Sequence, residues 1–248
     1  MAESLEICRQ VAQQMIEICK ELGIGYVFKA SFDKANRSSV ESYRGPGIEK
    51  GLEWLQTLRD EFDVPVLTDI HLPEQAQQVA DVVDALQIPA FLARQTDLLV
   101  AAGNTGKPVN VKKGQFMSPD DMENVVEKIR SCGNNNIMLT ERGTFFGYNR
   151  LVSDMRSMRQ MRKFAPVVFD ATHSVQQPGG LGNASGGERE FAVPLGLAAI
   201  AAGADALFVE THPQPDKALS DAACQMPLDE MESMLKTSLA VFHAVRSL

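Results

Sequence analysis

The sequence predicts an α/β fold, a (β/α)8 barrel built as one domain over residues 1–248. Three observations predict it. Short β-branched or apolar runs alternate with amphipathic stretches of helical period, the pattern of βα units. The runs are almost continuously apolar, as strands covered on both faces are. Reactive side chains end one run after another, and the C-terminal strand ends of a barrel share the face that carries chemistry. A doubly wound open sheet also binds ligands at strand ends, but at one switch point. A length of 248 residues agrees with the barrel.

The chain opens on a helix, Leu5–Leu22, whose Leu5, Val11, Met15, Ile18 and Leu22 fit the 3.6-residue period. The run Tyr26–Lys29 follows, ending in a lysine, then a helix over Glu49–Phe62. Val64–Thr68 leads to Asp69 and His71 and then to a helix over Pro73–Leu86. Ile88–Leu92 leads to Arg94, and Pro108–Lys112 to Lys113. A helix over Pro119–Ser131 precedes Ile137–Thr140, which is followed by Glu141 and Arg142. After a helix over Arg150–Lys163 come Val167–Asp170 and His173. A helix over Glu190–Ala202, the run Ala206–Glu210 with His212 beyond it, and a helix over Leu228–Leu248 complete the chain. Seven strands stand against eight helices. The expectation is therefore a barrel whose first strand is missing from this chain and belongs before Met1.

The net charge of −8 argues against nucleic-acid binding and against a polybasic membrane surface. No apolar run of about 18 residues offers a membrane span, and no signal peptide is seen. Four cysteines, Cys8, Cys19, Cys132 and Cys224, lie far apart with no C-x-x-C pair, so a reducing cytoplasm is the default.

Against that acidic background, Lys29, Lys34, Arg37, Arg94, Lys112, Lys113 and Arg142 all fall at or just beyond strand ends. Two or three of them are expected to pair with Asp33, Asp69, Asp97 and Glu141. The rest point to two anionic groups, such as phosphates or carboxylates, held by guanidinium forks, ammonium charges and neutral donors. No P-loop or G-x-G-x-x-G run points to a nucleotide. His173, Glu210 and Asp221 offer an imidazole and two carboxylates, a set suited to Fe, Mn, Zn or Co, although their spacing is not diagnostic. The glycine-rich stretch Gln176–Arg189 reads as a long loop of the kind that closes over a site, or as a plain surface loop.

The segments Phe28–Ser39 (FKASFDKANRSS), Ser42–Gly47, Pro89–Leu98, Val109–Phe116 (VNVKKGQF), Thr140–Tyr148, Phe169–Gln176 (FDATHSVQ) and Val209–Asp221 resemble 3-deoxy-D-manno-octulosonate 8-phosphate synthases. The resemblance covers essentially the whole chain. KANRSS is its specific part, since the sister family that uses erythrose 4-phosphate carries a lysine-proline-arginine-threonine pattern there. The resemblance implies condensation of phosphoenolpyruvate with arabinose 5-phosphate, in lipopolysaccharide biosynthesis, by a cytoplasmic homotetramer. It gives phosphoenolpyruvate to Lys29, Lys34, Lys112, Gln115 and Arg142. Arabinose 5-phosphate goes to Asn36, Arg37 and Ser38, with Arg94 supplied by a neighbouring subunit. Lys34, Lys112, His173 and Asp221 are the expected catalytic residues. KKGQF and ALSDA resemble the metal-dependent branch, whose ligands are a Cys, a His, a Glu and an Asp. His173, Glu210 and Asp221 match three of these, and the Cys position falls at or before Met1, so that ligand is missing here. Leu72 departs from the family, which commonly has Glu there. The alternatives left open are the sister 3-deoxy-7-phosphoheptulonate synthase reaction and a truncated sugar-phosphate-binding relative without turnover.

Overall fold

The computed structural model describes residues 1–37, 39–179 and 186–246. Its main sheet takes seven strands in chain order: β1 (Phe28–Lys29), β2 (Val66–Asp69), β3 (Ala85–Ile88), β4 (Val109–Lys112), β5 (Ile137–Glu141), β6 (Val167–Asp170) and β7 (Ala206–Phe208). The strand pairs β1–β2, β2–β3, β3–β4, β5–β6 and β6–β7 are parallel. Eight α-helices accompany them among the described residues: α1 (Leu5–Leu22), α2 (Ile48–Phe62), α3 (Gln75–Ala80), α4 (Thr96–Asn104), α5 (Met122–Arg130), α6 (Arg156–Met161), α7 (Ala192–Ala202) and α8 (Met231–Arg246). A mostly parallel sheet of seven strands in sequential order, with eight helices, bears out the (β/α)8 reading. No described helix is long and apolar enough to cross a membrane.

Helix α1 has the predicted bounds, and its ends show why. Ser4 Oγ accepts from Ile7 N at 3.2 Å, capping the first turn. Gly23 takes a left-handed φ of 65°, and Ile24 N donates back to Cys19 O at 3.0 Å, closing the last turn. Three expectations need correction. The run Ile88–Leu92 is not a strand. β3 ends at Ile88 because Pro89 has no N–H for the ladder, and Ala90–Leu92 winds into a 3-10 turn instead. The helix expected over Pro73–Leu86 stops at Ala80, and Ala85–Ile88 enters the sheet. The helix expected over Arg150–Lys163 is confined to Arg156–Met161. Leu151–Val152 pairs instead with Thr144–Phe145 as a small antiparallel hairpin.

The described residues fall into two compact units. In the first, residues 1–111 with 127–137, α1 lies against α2, and Phe32, Leu55, Leu58, Ile70, Leu86 and Ile88 are fully buried. Each such side chain contributes about 1.5–3 kcal/mol of transfer free energy. A Cβ on Gly51 would sit 2.4 Å from Phe32 Cβ, so only glycine lets α2 approach the segment after β1 this closely. The backbone N–H of buried Ala2 donates to Ser31 O at 2.9 Å, just past the end of β1. In the second unit, residues 112–126 with 138–248, α7 packs on α8, and β6 is buried along its whole length.

Candidate active site

In the first unit the ends of β1 and β2 carry a buried polar cluster around Asp69. Lys29 Nζ lies 2.9 Å from Asp69 Oδ1 and donates to Ser31 Oγ at 2.6 Å. Ser31 donates in turn to Asp69 Oδ2. Gln87 Nε2 donates to Asp69 Oδ1 at 2.5 Å, and Asn110 Nδ2 donates to Gln87 Oε1 at 3.0 Å. Burial alone would raise the Asp69 carboxyl. The charges of Lys29 and Lys34 outweigh it, with help from the Ser31 hydroxyl, and hold the carboxyl well below the usual range. Burial pushes the neighbouring His71 imidazole down, against the upward pull of Asp69 and Asp33. Its ring stands edge-on to Phe32 at 5.7 Å. Leu72 is more than half exposed, and Gln75 Oε1 accepts from the backbone N–H groups of both His71 and Leu72.

Beyond β1 the lysine- and arginine-bearing loop is fastened by hydrogen bonds within itself. Lys34 N donates to Arg44 O at 2.7 Å, Arg37 Nε to Tyr43 O at 3.0 Å, and Arg44 Nε to Asp33 Oδ1 at 2.9 Å. Asp33 thus pairs with Arg44 rather than with one of the cations singled out from the sequence. Asn36 is exposed, as is Arg94, and Ser38 lies outside the described residues.

In the second unit the focus is Asp170, the fully buried last residue of β6. Its Oδ2 meets Lys112 Nζ and, at 2.7 Å, His173 Nδ1. Its Oδ1 accepts from His173 N at 2.8 Å and from Thr172 Oγ1 at 3.2 Å. Burial works to raise this carboxyl too, but His173 and Lys112 hold it well below the usual carboxylate range. Lys112 Nζ also sits 3.7 Å from the centre of the Phe208 ring, a cation–π contact.

Arg142 is buried, and its Nη2 donates to Gln176 Oε1 at 2.7 Å. Gln176 Nε2 donates onward to Asp221 Oδ1 at 2.6 Å. The amide has one possible orientation here, since a guanidinium only donates and a carboxylate only accepts. Burial lowers the Arg142 guanidinium, opposed by Asp170, Glu141 and Asp221. Arg142 Nη1 and Gln115 Oε1 are buried with no hydrogen-bond partner among the described residues. A buried cation with an unsatisfied donor and a buried amide oxygen without a partner are marks of a site built for a ligand.

His173, Glu210 and Asp221 come together as the sequence suggested, with one ligand atom from each lying within 4.8 Å of the others. Ionised Asp170 only accepts, so it places a proton on His173 Nδ1 and turns Nε2 outward. Nε2 faces Glu210 Oε1 at 3.6 Å. A nitrogen lone pair opposite a carboxylate is repulsive unless a proton or cation lies between them. The residues present therefore fit a divalent metal, and Asp170 is the carboxylate that would orient His173 toward it.

Lys113 leaves the group of anion-binding candidates. Its ammonium is fully buried and already donates to Gly114 O, Met117 O and Thr144 Oγ1 at 3.0–3.2 Å, with Glu141 Oε2 at 3.6 Å. Two of the expected pairings are thus observed, Lys29 with Asp69 and Lys113 with Glu141. The roles of Asp170 and Gln176 escaped the sequence reading. So did Gln87 and Asn110, for which there was a signal, since each is a lone polar residue inside an apolar strand. The glycine-rich loop begins as a hairpin, Gln176–Gln177 paired antiparallel with Gly186–Gly187, and its residues 180–185 lie outside the described ones.

Comparison with known proteins places this geometry. The model of the DAHP synthetase I family matches residues 1–246. The chain belongs to that family. Within its reach, a Desulfotalea psychrophila protein named 2-dehydro-3-deoxyphosphooctonate aldolase is 59% identical, over 98% of this chain and 87% of that protein. Proteins of the same name from Fusobacterium nucleatum and Dechloromonas aromatica are 55% and 57% identical. They align over 98% and 99% of this chain and 88% and 90% of their own lengths.

Proposed function

We propose that this protein condenses phosphoenolpyruvate with D-arabinose 5-phosphate and water to give 3-deoxy-D-manno-octulosonate 8-phosphate and inorganic phosphate. The observation that carries the reading is the shared name of relatives 55–59% identical over nearly the whole chain. The buried Arg142 with its unsatisfied Nη1 supports it as a receptor for an anion, as do the buried Lys112 and Gln115.

In this reading Lys29, Lys34, Lys112, Gln115 and Arg142 serve phosphoenolpyruvate, and Asn36, Arg37 and Ser38 serve the sugar phosphate. The enol C3 attacks the aldehyde carbon of the sugar, forming the new C–C bond and leaving positive charge at C2. Water adds at C2, and the proton it loses balances the one taken up by the alkoxide formed from the aldehyde oxygen. The resulting hemiketal phosphate then breaks its C2–O bond, so phosphate departs and C2 becomes the ketone. The cations neutralise the two anionic substrates and hold them at reacting distance, and such positioning is worth about 7–11 kcal/mol at best. They also face charge as it develops. Lys34 and Lys112 are the cations assigned to the reacting atoms, and Asp170 holds Lys112 in place. A divalent metal (Fe, Mn, Zn or Co) held by His173, Glu210 and Asp221 would supply Lewis acidity toward the aldehyde or the water. Exposed Arg94 suits the role of an arm offered to a neighbouring subunit of a homotetramer.

The test is phosphate release by the purified protein. Release from phosphoenolpyruvate is expected only with arabinose 5-phosphate present, and a chelator should abolish it. Equal release with erythrose 4-phosphate would overturn the substrate assignment, and full activity in chelator would overturn the metal.

A further inference from the structure

The Lys113–Glu141 pair is buried within the second unit and has no place among the substrate-binding residues just assigned. Its contacts run between two segments that both carry such residues. On one side is the stretch after β4, with Lys112 and Gln115. On the other is the stretch after β5, with Arg142. Lys113 Nζ donates to two carbonyls of its own segment, Gly114 O and Met117 O, both at 3.2 Å. It reaches across to Thr144 Oγ1 at 3.0 Å and Glu141 Oε2 at 3.6 Å. The other oxygen of Glu141, Oε1, accepts from the backbone N–H of Arg142 at 3.0 Å and of Gly143 at 2.7 Å. Two backbone bonds reinforce the link, Lys113 N to Thr140 O at 2.8 Å and Phe145 N to Gln115 O at 3.0 Å.

A fully buried ion pair is weak evidence for stability, because desolvation offsets much of the attraction. Its lasting effect is geometric. Glu141 fixes the peptide of Arg142 itself, while Lys113 fixes the peptide between Lys112 and Gln115. We infer that the Lys113–Glu141 pair is a positioning brace that sets the spacing of Arg142 against Lys112 and Gln115 and so tunes capture of phosphoenolpyruvate. The inference rests on the proposed reaction.

The test compares Lys113→Met and Thr144→Val with the parent protein. Phosphoenolpyruvate binding is followed by calorimetry, KM by phosphate release, and folding by thermal melting. Lys113→Met keeps an unbranched side chain, one atom shorter, and removes every donor. It should raise the phosphoenolpyruvate KM and Kd about tenfold, since displacement of a positioned group by less than an ångström carries penalties of this order. The KM for arabinose 5-phosphate should stay within about twofold, a selectivity that a purely structural role would not give. Thr144→Val removes one acceptor at the half-buried end of the network and leaves the pair in place, so it serves if Lys113→Met does not fold. It should weaken phosphoenolpyruvate binding about threefold with an unchanged melting temperature. Parental phosphoenolpyruvate affinity in a folded Thr144→Val protein overturns the brace. Equal loss of both substrates in folded Lys113→Met overturns it as well. Failure of the parent protein to bind phosphoenolpyruvate would instead refute the proposed reaction.

Discussion

Replacing Asp170 with asparagine should damage the second unit in two separable ways. The carboxylate is fully buried and serves four donors: Lys112 Nζ, His173 Nδ1, His173 N and Thr172 Oγ1. An asparagine keeps one oxygen and presents an NH2 in place of the other. If the NH2 faces Lys112, a buried ammonium is left opposite a donor. Removing one partner of a buried pair costs about 3–5 kcal/mol. The cation–π contact with Phe208 returns only about 0.5–2 kcal/mol of this. The same NH2 would oppose His173 Nδ1–H and drive the proton to Nε2, the nitrogen aimed at Glu210. Manganese affinity should then fall about tenfold or more. Urea unfolding and manganese titration measure the two effects. The pH dependence follows from the low native pKa of Asp170. Between the unfolded carboxyl value of about 3.9 and the lower native one, the unfolded chain binds the extra proton, so this contribution is complete above that window and is lost as pH falls through it. The stability gap between parent and variant should therefore close below about pH 4. A folded Asp170→Asn protein within about 0.5 kcal/mol of the parent at pH 7 would refute the reasoning.

Gln176→Leu removes the amide that joins Arg142 to Asp221, so the variant should bind both phosphoenolpyruvate and manganese about tenfold more weakly in separate titrations. A loss confined to one ligand would show that the amide serves only that side. Gly187→Ala places a Cβ 2.1 Å from Cys224 Sγ, and overpacking of this kind costs about 1–3 kcal/mol in a denaturant melt. Adding Cys224→Ala should recover part of that loss.

What the sequence made legible followed from local rules. Helix α1 carried its own start and stop signals in Ser4 and Gly23, and the strands ending at Lys112 and Asp170 were largely apolar runs closed by a charge. The errors arose where local rules conflict with tertiary ones. Ile88–Leu92 is apolar enough for a strand, yet Pro89 ends the ladder inside it. Leu86 fits a helical period and is claimed instead by the sheet. In the candidate site, counting cations at strand ends could not tell Lys112 from Lys113, because neighbouring residues on a strand point to opposite faces. The motif named His173, Glu210 and Asp221, but the geometry that makes them a set rests on Asp170, whose partners are close only after folding.

The hydrogen bond from Ala2 to Ser31 has a practical consequence. Ser31 is the residue whose hydroxyl links Lys29 to Asp69, so strain applied at Ala2 passes through one peptide group to an ionised cluster. A fluorophore attached beside Ala2 would serve as an optical reporter of events around Asp69.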